Sequence, residues 1–546
     1  MRYLPSLLLV VLLGISTFSY ADNYPRNYAV DILHYRFELT LSDKSDEIIG
    51  QTTIDVMFNT DTSRQLRFDL VNRSAQLQGK GMQIEAVLFE NKPISFLHDN
   101  NALVIKLSKP FAKNRIASFV VKYRGIPADG LRIGNTKYGE RSFFNENWPN
   151  RTRHWLPTVD HPYDKATNEF IVTAPAHYQV VSNGLLVEES IINSEQKRTH
   201  WKQSVPISSW LYVMGVAKFA IQYVDNFEGK QIQTWVYPQD RNNGFHDFAI
   251  PTKDVMGFYS TYIGPFAYEK LANIQSPSVG GGMETASAIF YGENLVNGKR
   301  DNRLRNVVIH EIAHQWFGNA VTESTWDDAW LSEGFATYFT LLYQEYAYGE
   351  DEYINELKKA RTRVFNFYSK DSTYKIIDNR TAEEGQVTND MTYQKGAWVL
   401  HMLREKMGHE AFKNGIQTYY QKYFNKNATI DDFFEEMQKF VKSPLSNFRN
   451  QWLHRPEVLN LQATWNYDAA SQQLEINIEQ IQRSEFNFDV PVEIEVIENG
   501  GKGKKLMKLE LNGKQKIFKV PLDKKPVAVL PDPRTVLLAK FEIRER

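Results

Sequence analysis

The sequence predicts a multidomain α+β protein with a β-rich first part, a mostly helical middle and a short β-rich tail. Three observations carry this. The chain has 546 residues, more than one hydrophobic core fills, so several cores are expected. Apolar residues alternate with period two up to about residue 225, and again after about residue 456. Between those points the spacing switches to three and four. The predicted units are residues 22–225, 226–455 and 456–546, preceded by a leader at 1–21.

The leader is read from Arg2 and the run LPSLLLVVLLGIS, which is too short to cross a bilayer, followed by Ser19 and Ala21 at the offsets of a cleavage site. A secretory signal cut after Ala21 is expected, with export to the periplasm or beyond and no membrane span in the mature chain. There is no cysteine, which excludes disulfides, thiolate metal sites and an acyl-anchored lipoprotein. The 64 basic and 65 acidic side chains leave a net charge of -1. That removes the electrostatic ground for nucleic acid or an anionic membrane as main partner. A monomer is expected.

In the first unit Tyr35, Phe37, Leu39 and Leu41 alternate with Arg36, Glu38 and Thr40, and turns such as Ser182-Asn183-Gly184 punctuate similar runs. Three middle segments have helical spacing: NRLRNVVIHEIAHQWFG, DDAWLSEGFATYFTLLYQEY and YQKGAWVLHMLREKMG. The first is expected to stop at Gly318-Asn319 and the third at Gly408. In the tail Leu474, Ile476 and Ile478 alternate, as do Val492, Ile494 and Val496. Leu511-Asn512-Gly513-Lys514 reads as a two-residue hairpin turn, and the lysine-rich ENGGKGKKLMK as a solvated hairpin loop.

The chemistry centres on His310-Glu311-Ile312-Ala313-His314. Residues four apart share a helix face, so both imidazoles reach one ion. Glu311 sits about 100° around the helix, beside that ion, where it can take a proton from water. A third ligand is available in Glu333, with eighteen residues between it and His314. It lies amid Trp330, Leu331, Phe335 and Ala336, where a buried unpaired carboxylate is costly and a metal bond offsets the cost. Two imidazoles and one carboxylate, with a position left for water, form the catalytic zinc pattern. Nitrogen and oxygen ligands without thiolate suit one Zn²⁺ per chain, with Co²⁺ or Mn²⁺ as substitutes in vitro. Asp327 or Asp328 is placed either to orient a histidine or to cap the following helix.

HEIAHQWFGNAVT, WDDAWLSEGFATY and TYQKGAWVLHML together resemble the aminopeptidase N family of zinc metallopeptidases, which includes membrane alanyl aminopeptidases and leukotriene hydrolase. The family's Gly-x-Met-Glu-Asn segment is matched by Gly281-Gly282-Met283-Glu284-Thr285, and PISSWLYVMGVAKF and VVSNG extend the likeness over most of the mature chain. The resemblance implies a saddle-like N-terminal β domain, a thermolysin-like zinc domain and a small C-terminal β-sandwich. It also implies peptide substrates with a free N-terminus. Gly281, Gly282 and Met283 form an edge strand against the substrate, and Glu284 binds its α-amine. Glu311 is the general base, and Tyr393 donates a hydrogen bond to the developing oxyanion.

Three departures stand out. Thr285 replaces the usual Asn. Where the family carries Gln-x-Glu or Gln-x-Gln before an arginine, counting back from Arg153 gives Glu146 and Trp148. Glu146 remains able to assist with the amine, whereas Trp148 is read as structural. The large helical domain of many members is not represented, which implies an open cleft. The rival readings are a thermolysin-type endopeptidase, an epoxide hydrolase and a non-catalytic peptide-binding scaffold.

Overall fold

A computed structural model describes residues 22–249, 252–377, 388–483, 486–498 and 503–546. The leader at 1–21 lies outside the described residues, as do residues 499–502 of the lysine-rich loop.

The first unit is built on an eight-stranded sheet. Its central strand, Val30–Ser42, pairs antiparallel with Ser45–Phe58 and parallel with Ala166–Pro175. The alternation read from the sequence is the burial pattern: Tyr35, Phe37, Leu39 and Leu41 point into the core. Ile32 is buried too, and a bulge between Ile32 and His34 absorbs the odd interval to Tyr35. Against this sheet lies a four-stranded one containing Arg141–Asn145, which delivers the next residues, Glu146 to Trp148, toward the second unit. Trp148 meets Trp210 and Trp326 edge-to-face, each with ring centroids 4.8 Å apart. The structural reading of this tryptophan matches that packing, which also joins the two units.

The second unit opens with a five-stranded sheet. Its first strand, Ala220–Phe227, runs through the expected boundary at 225/226 and pairs with Lys230–Val236 across the left-handed turn Glu228-Gly229. The boundary therefore falls earlier, because the period-two pattern continues straight from one unit into the other. Helices follow, chiefly Asn302–His314, Trp330–Tyr348, Glu350–Lys370, Gly396–Met407 and His409–Tyr423. The first ends at His314, a turn before the expected stop. Gly318, at φ +106, reverses the chain there, and Asn319 N–H returns to the His314 carbonyl at 3.1 Å. Gly408 terminates Gly396–Met407 as expected.

The tail holds a four-stranded and a three-stranded sheet. One correction concerns its turn at Asn512-Gly513. Lys504–Leu511 pairs with Val490–Ile497 in the three-stranded sheet, whereas Gln515–Pro521 pairs with Gln473–Gln480 in the other, so the turn links two sheets and is not a hairpin. Only Gly513 is left-handed there. A type I′ hairpin turn needs two such residues. Gln480 fills in for the missing ladder, donating from Nε2 to the Gly513 carbonyl at 2.8 Å. The Val490–Ile497 and Lys504–Leu511 pair is antiparallel, as the lysine-rich loop implied. Among the described residues no helix is long and apolar enough to cross a membrane.

Lys270 of the five-stranded sheet is fully buried between the first two units. It donates to the Ser182 carbonyl at 2.8 Å and lies over the Trp201 ring. Burial pushes its amine down from 10.5 to about 7. A base depressed on folding costs stability as the pH falls from the unfolded value toward the folded one, and the cost is constant below that. In melting curves from pH 10 to 7, Lys270→Met is therefore expected to gain on the wild type steadily as the pH falls. A difference independent of pH overturns the assignment.

Candidate active site

The helix Asn302–His314 is capped by Asp301, whose carboxylate accepts from Leu304 N–H at 2.9 Å. Its last turn presents His310 and His314 side by side, with their Nε2 atoms 3.1 Å apart. Glu333, in the first turn of Trp330–Tyr348, brings Oε2 to 3.2 Å from His314 Nε2 and 3.4 Å from His310 Nε2. The structure thus assembles the predicted triad.

Its electrostatics fit a cation. Two imidazole nitrogens face each other and a carboxylate, and Glu333 Oε2 is buried without a hydrogen-bond partner. One ligand atom from each residue lies within 4.8 Å of the others. Burial works against the Glu333 carboxylate, but the adjacent His314 and His310 outweigh it and hold its pKa below the usual range. Burial also works against charge on His314, yet Glu284 and Glu333 overcome it and raise its pKa to about 10. A divalent ion at this point would meet the lone pairs of the two Nε2 atoms and the unpartnered Glu333 Oε2.

His314 is oriented by its other nitrogen. Nδ1 faces the Phe317 carbonyl and Ser332 Oγ, each at 3.2 Å. Of Asp327 and Asp328, both candidates to orient a histidine or to cap a helix, Asp328 is turned away from the histidines. Its carboxylate accepts from Ile430 N–H at 3.2 Å, at the start of another helix. Gly318 is required here, since a Cβ would run into Ser332 Oγ and His314 Nδ1.

The glycine stretch is the other wall. Gly282-Met283 forms a two-residue strand antiparallel to Phe290-Tyr291. A Cβ on Gly282 would occupy the space of the Glu311 carboxylate, so the glycine lets the strand lie directly over that group. Gly280 and Gly281 face open space. Burial raises the pKa of the Glu311 carboxyl well above its usual range, with Glu284 adding to the effect and His314 opposing it. Glu284 is buried to 5% exposure, and its Oε1, 3.9 Å from His314 Nε2, has no hydrogen-bond partner. Thr285, the departure from the family pattern, bonds through its hydroxyl to the Ala288 carbonyl within the same turn.

Tyr393 sits in a single wide turn, Met391–Lys395, just before Gly396–Met407. Its ring stacks beside His310 and its hydroxyl donates to Glu333 Oε1 at 2.6 Å. Glu146 reaches the same cavity of about 300 Å³ as Glu284, Glu333 and Tyr393. Its carboxylate is engaged, however, by the Trp148 N–H at 2.9 Å and by the Arg151 guanidinium. Sequence reasoning missed Arg151. It also missed Gln315 and Asn319, whose amides donate to the Glu284 carbonyl at 2.9 and 2.6 Å. A polar residue directly before Trp316-Phe317 was the available signal for Gln315.

Two family profiles match this chain. The peptidase M1 N-terminal domain covers residues 32–211 and the peptidase family M1 domain residues 249–452, together well over half of the sequence. The chain belongs to peptidase family M1. Among M1 relatives, glutamyl aminopeptidase of Rattus norvegicus is 26% identical over 447 residues, 77% of this chain and 46% of its own. The Homo sapiens glutamyl aminopeptidase is 31% identical over 335 residues, 58% of this chain and 35% of its own. A probable aminopeptidase 2 of Sulfurisphaera tokodaii is 28% identical over 69% of this chain and 49% of its own. The chain spans about half the length of the curated relatives it matches. An M1 zinc metallopeptidase from Deinococcus radiodurans shares the fold, with a TM-score of 0.65 and 23% identity over 78% of this chain and 93% of that one. The M1 pattern thus unites the β-rich first unit and the helical second unit in one peptidase fold.

Gly334, next to Glu333, touches Gly396, three residues after Tyr393. A Cβ on either would come within 2.9 Å of the other's Cα. That contact sets how closely the Tyr393 turn approaches Glu333. Gly396→Ala is expected to cost about 1–3 kcal/mol in denaturant unfolding. It should also weaken metal retention, measured by metal content after dialysis against a mild chelator.

Proposed function

We propose that this chain is a zinc-dependent aminopeptidase that removes the N-terminal residue from peptides. The observation that carries the reading is Glu284, a buried carboxylate with an unpartnered oxygen, standing beside the His310, His314 and Glu333 donors. A carboxylate in that position is stabilised when an ammonium arrives, so a free N-terminus is the group it selects. The zinc that names the structural relatives fits the same three residues by donor type.

His310, His314 and Glu333 would hold the zinc, which would supply Lewis acidity to the scissile carbonyl and to a nearby water. Glu311 takes the proton of that water and later returns it to the leaving amine. Burial and Glu284 both raise its affinity for that proton. Tyr393 turns its hydroxyl from Glu333 toward the oxyanion as charge develops, and its pKa, raised by burial and Glu333, keeps it a donor throughout. Glu284 holds the substrate's ammonium, and the open edge at Gly280 and Gly281 accepts its backbone as an added strand. Glu146, neutralised by Arg151, assists the amine only weakly in this scheme. Export through the leader, a monomeric state and a C-terminal β-sandwich complete the proposal.

The test is release of a chromophore from alanyl, leucyl and glutamyl amides beside their N-acetylated twins. Cleavage of the free-amine set alone is expected, lost on chelation and regained with zinc. Glu311→Gln should lower turnover by roughly 10²–10⁴, and Tyr393→Phe by roughly 10²–10³. Equal cleavage of the acetylated twins would mean an endopeptidase. No turnover by a zinc-loaded chain would mean a peptide-binding scaffold.

A further inference from the structure

Glu284 selects an amine usefully only if its carboxylate keeps one distance from the metal donors. A two-residue edge strand preceded by two further glycines is a poor ruler by itself, because glycine backbones are the least restricted. The segment that follows is wired in from two sides. Glu284, Thr285, Ala286 and Ser287 are all buried. From the first unit, Asn183 Nδ2 donates to the Ala286 carbonyl at 2.7 Å, and Gly184 N–H donates to Ser287 Oγ at 2.8 Å.

From the second unit comes Gln315, the residue directly after His314. Its Nε2 donates to the Glu284 carbonyl at 2.9 Å and its Oε1 accepts the Ser287 N–H at 3.0 Å. One side-chain amide thus takes both backbone partners that a neighbouring strand would offer. Asn319 Nδ2 adds a second bond to the Glu284 carbonyl at 2.6 Å. Ser287 itself sits at φ +62. A buried serine persists in that left-handed region only where its surroundings over-determine it, and Gln315 supplies one of those constraints.

We propose that Gln315, seconded by Asn319, is a positioning residue that splints the Glu284 segment to the histidine helix, so that the amine-reading carboxylate and the metal donors move as one body. The role rests on the aminopeptidase reading. It differs from a purely structural one because it predicts loss of discrimination for the amine, beyond loss of stability or activity.

The experiment compares two probes, leucine hydroxamate and 4-methylpentanoyl hydroxamate, which differ only in the α-amino group. Their dissociation constants are measured by calorimetry on zinc-loaded wild type, Gln315→Met and Asn319→Ala, with zinc content and melting temperature recorded. The wild type should prefer the amine-bearing probe. In Gln315→Met that preference should shrink about tenfold, the equivalent of one or two hydrogen bonds of positioning. In Asn319→Ala it should shrink about threefold. Binding of the des-amino probe and the zinc stoichiometry should hardly change. If Gln315→Met does not fold, Asn319→Ala, which leaves the glutamine in place, decides the matter. A parallel loss for both probes, or a preference kept intact in the variants, overturns the splint and leaves the aminopeptidase reading standing. A wild type with no preference for the amine overturns both.

Discussion

Charge held in an apolar interior is the constraint on which the rest of this molecule turns. Glu284, Glu311, Glu333 and His314 are all buried within one small volume, under a roof of strand and between two helices. Carboxylates in such a place are tolerated only if they are protonated, paired or bound to a cation. The structure divides them between these solutions. Glu333 is kept ionised by the two histidines and a tyrosine hydroxyl, while burial pushes Glu311 and Glu284 toward the protonated form. Two carboxylates of opposite tendency thus stand beside one candidate cation position.

The scaffold answers that constraint with small residues at close approaches. Gly282 gives up its Cβ space to Glu311, Gly318 to His314 and Ser332, and Gly334 and Gly396 to one another. Each marks a place where backbone must come nearer than any side chain permits, and together they surround the metal-binding group on several sides. The packing is dense where the chemistry needs fixed distances, and space is open along Gly280 and Gly281.

The first unit contributes more than a lid. Through Asn183 and Gly184 it grips the segment after Glu284, through Lys270 and Ser182 it fastens to the catalytic sheet, and through Trp148 it packs on Trp326. Lys165 reaches across in the same way, donating to the carbonyls of Asn319 and Ala320 beside the histidine helix. The Glu284 segment is therefore held by both units, which gives a physical reason for the pair of M1 domains to occur together in this chain.

Much of this was legible in the sequence. Helical spacing placed His310, Glu311 and His314 on one turn, and the lone carboxylate among Trp330, Leu331 and Phe335 pointed to a ligand, because periodicity and the cost of burying charge are local properties. Period two likewise marked the strand holding Tyr35 to Leu41. Pairing was not legible, since partners in a sheet are chosen by three-dimensional packing. The turn at Asn512-Gly513 joins two sheets, and the boundary at 225/226 cuts a strand. The engagement of Glu146 by Arg151, the orientation of His314 by Phe317 and Ser332, and the bridge from Gln315 to Glu284 and Ser287 were decided only by tertiary structure. The sequence alone determined which groups are candidates for the chemistry, and the distances between them come from hydrogen bonds and packing whose partners lie far apart in the sequence.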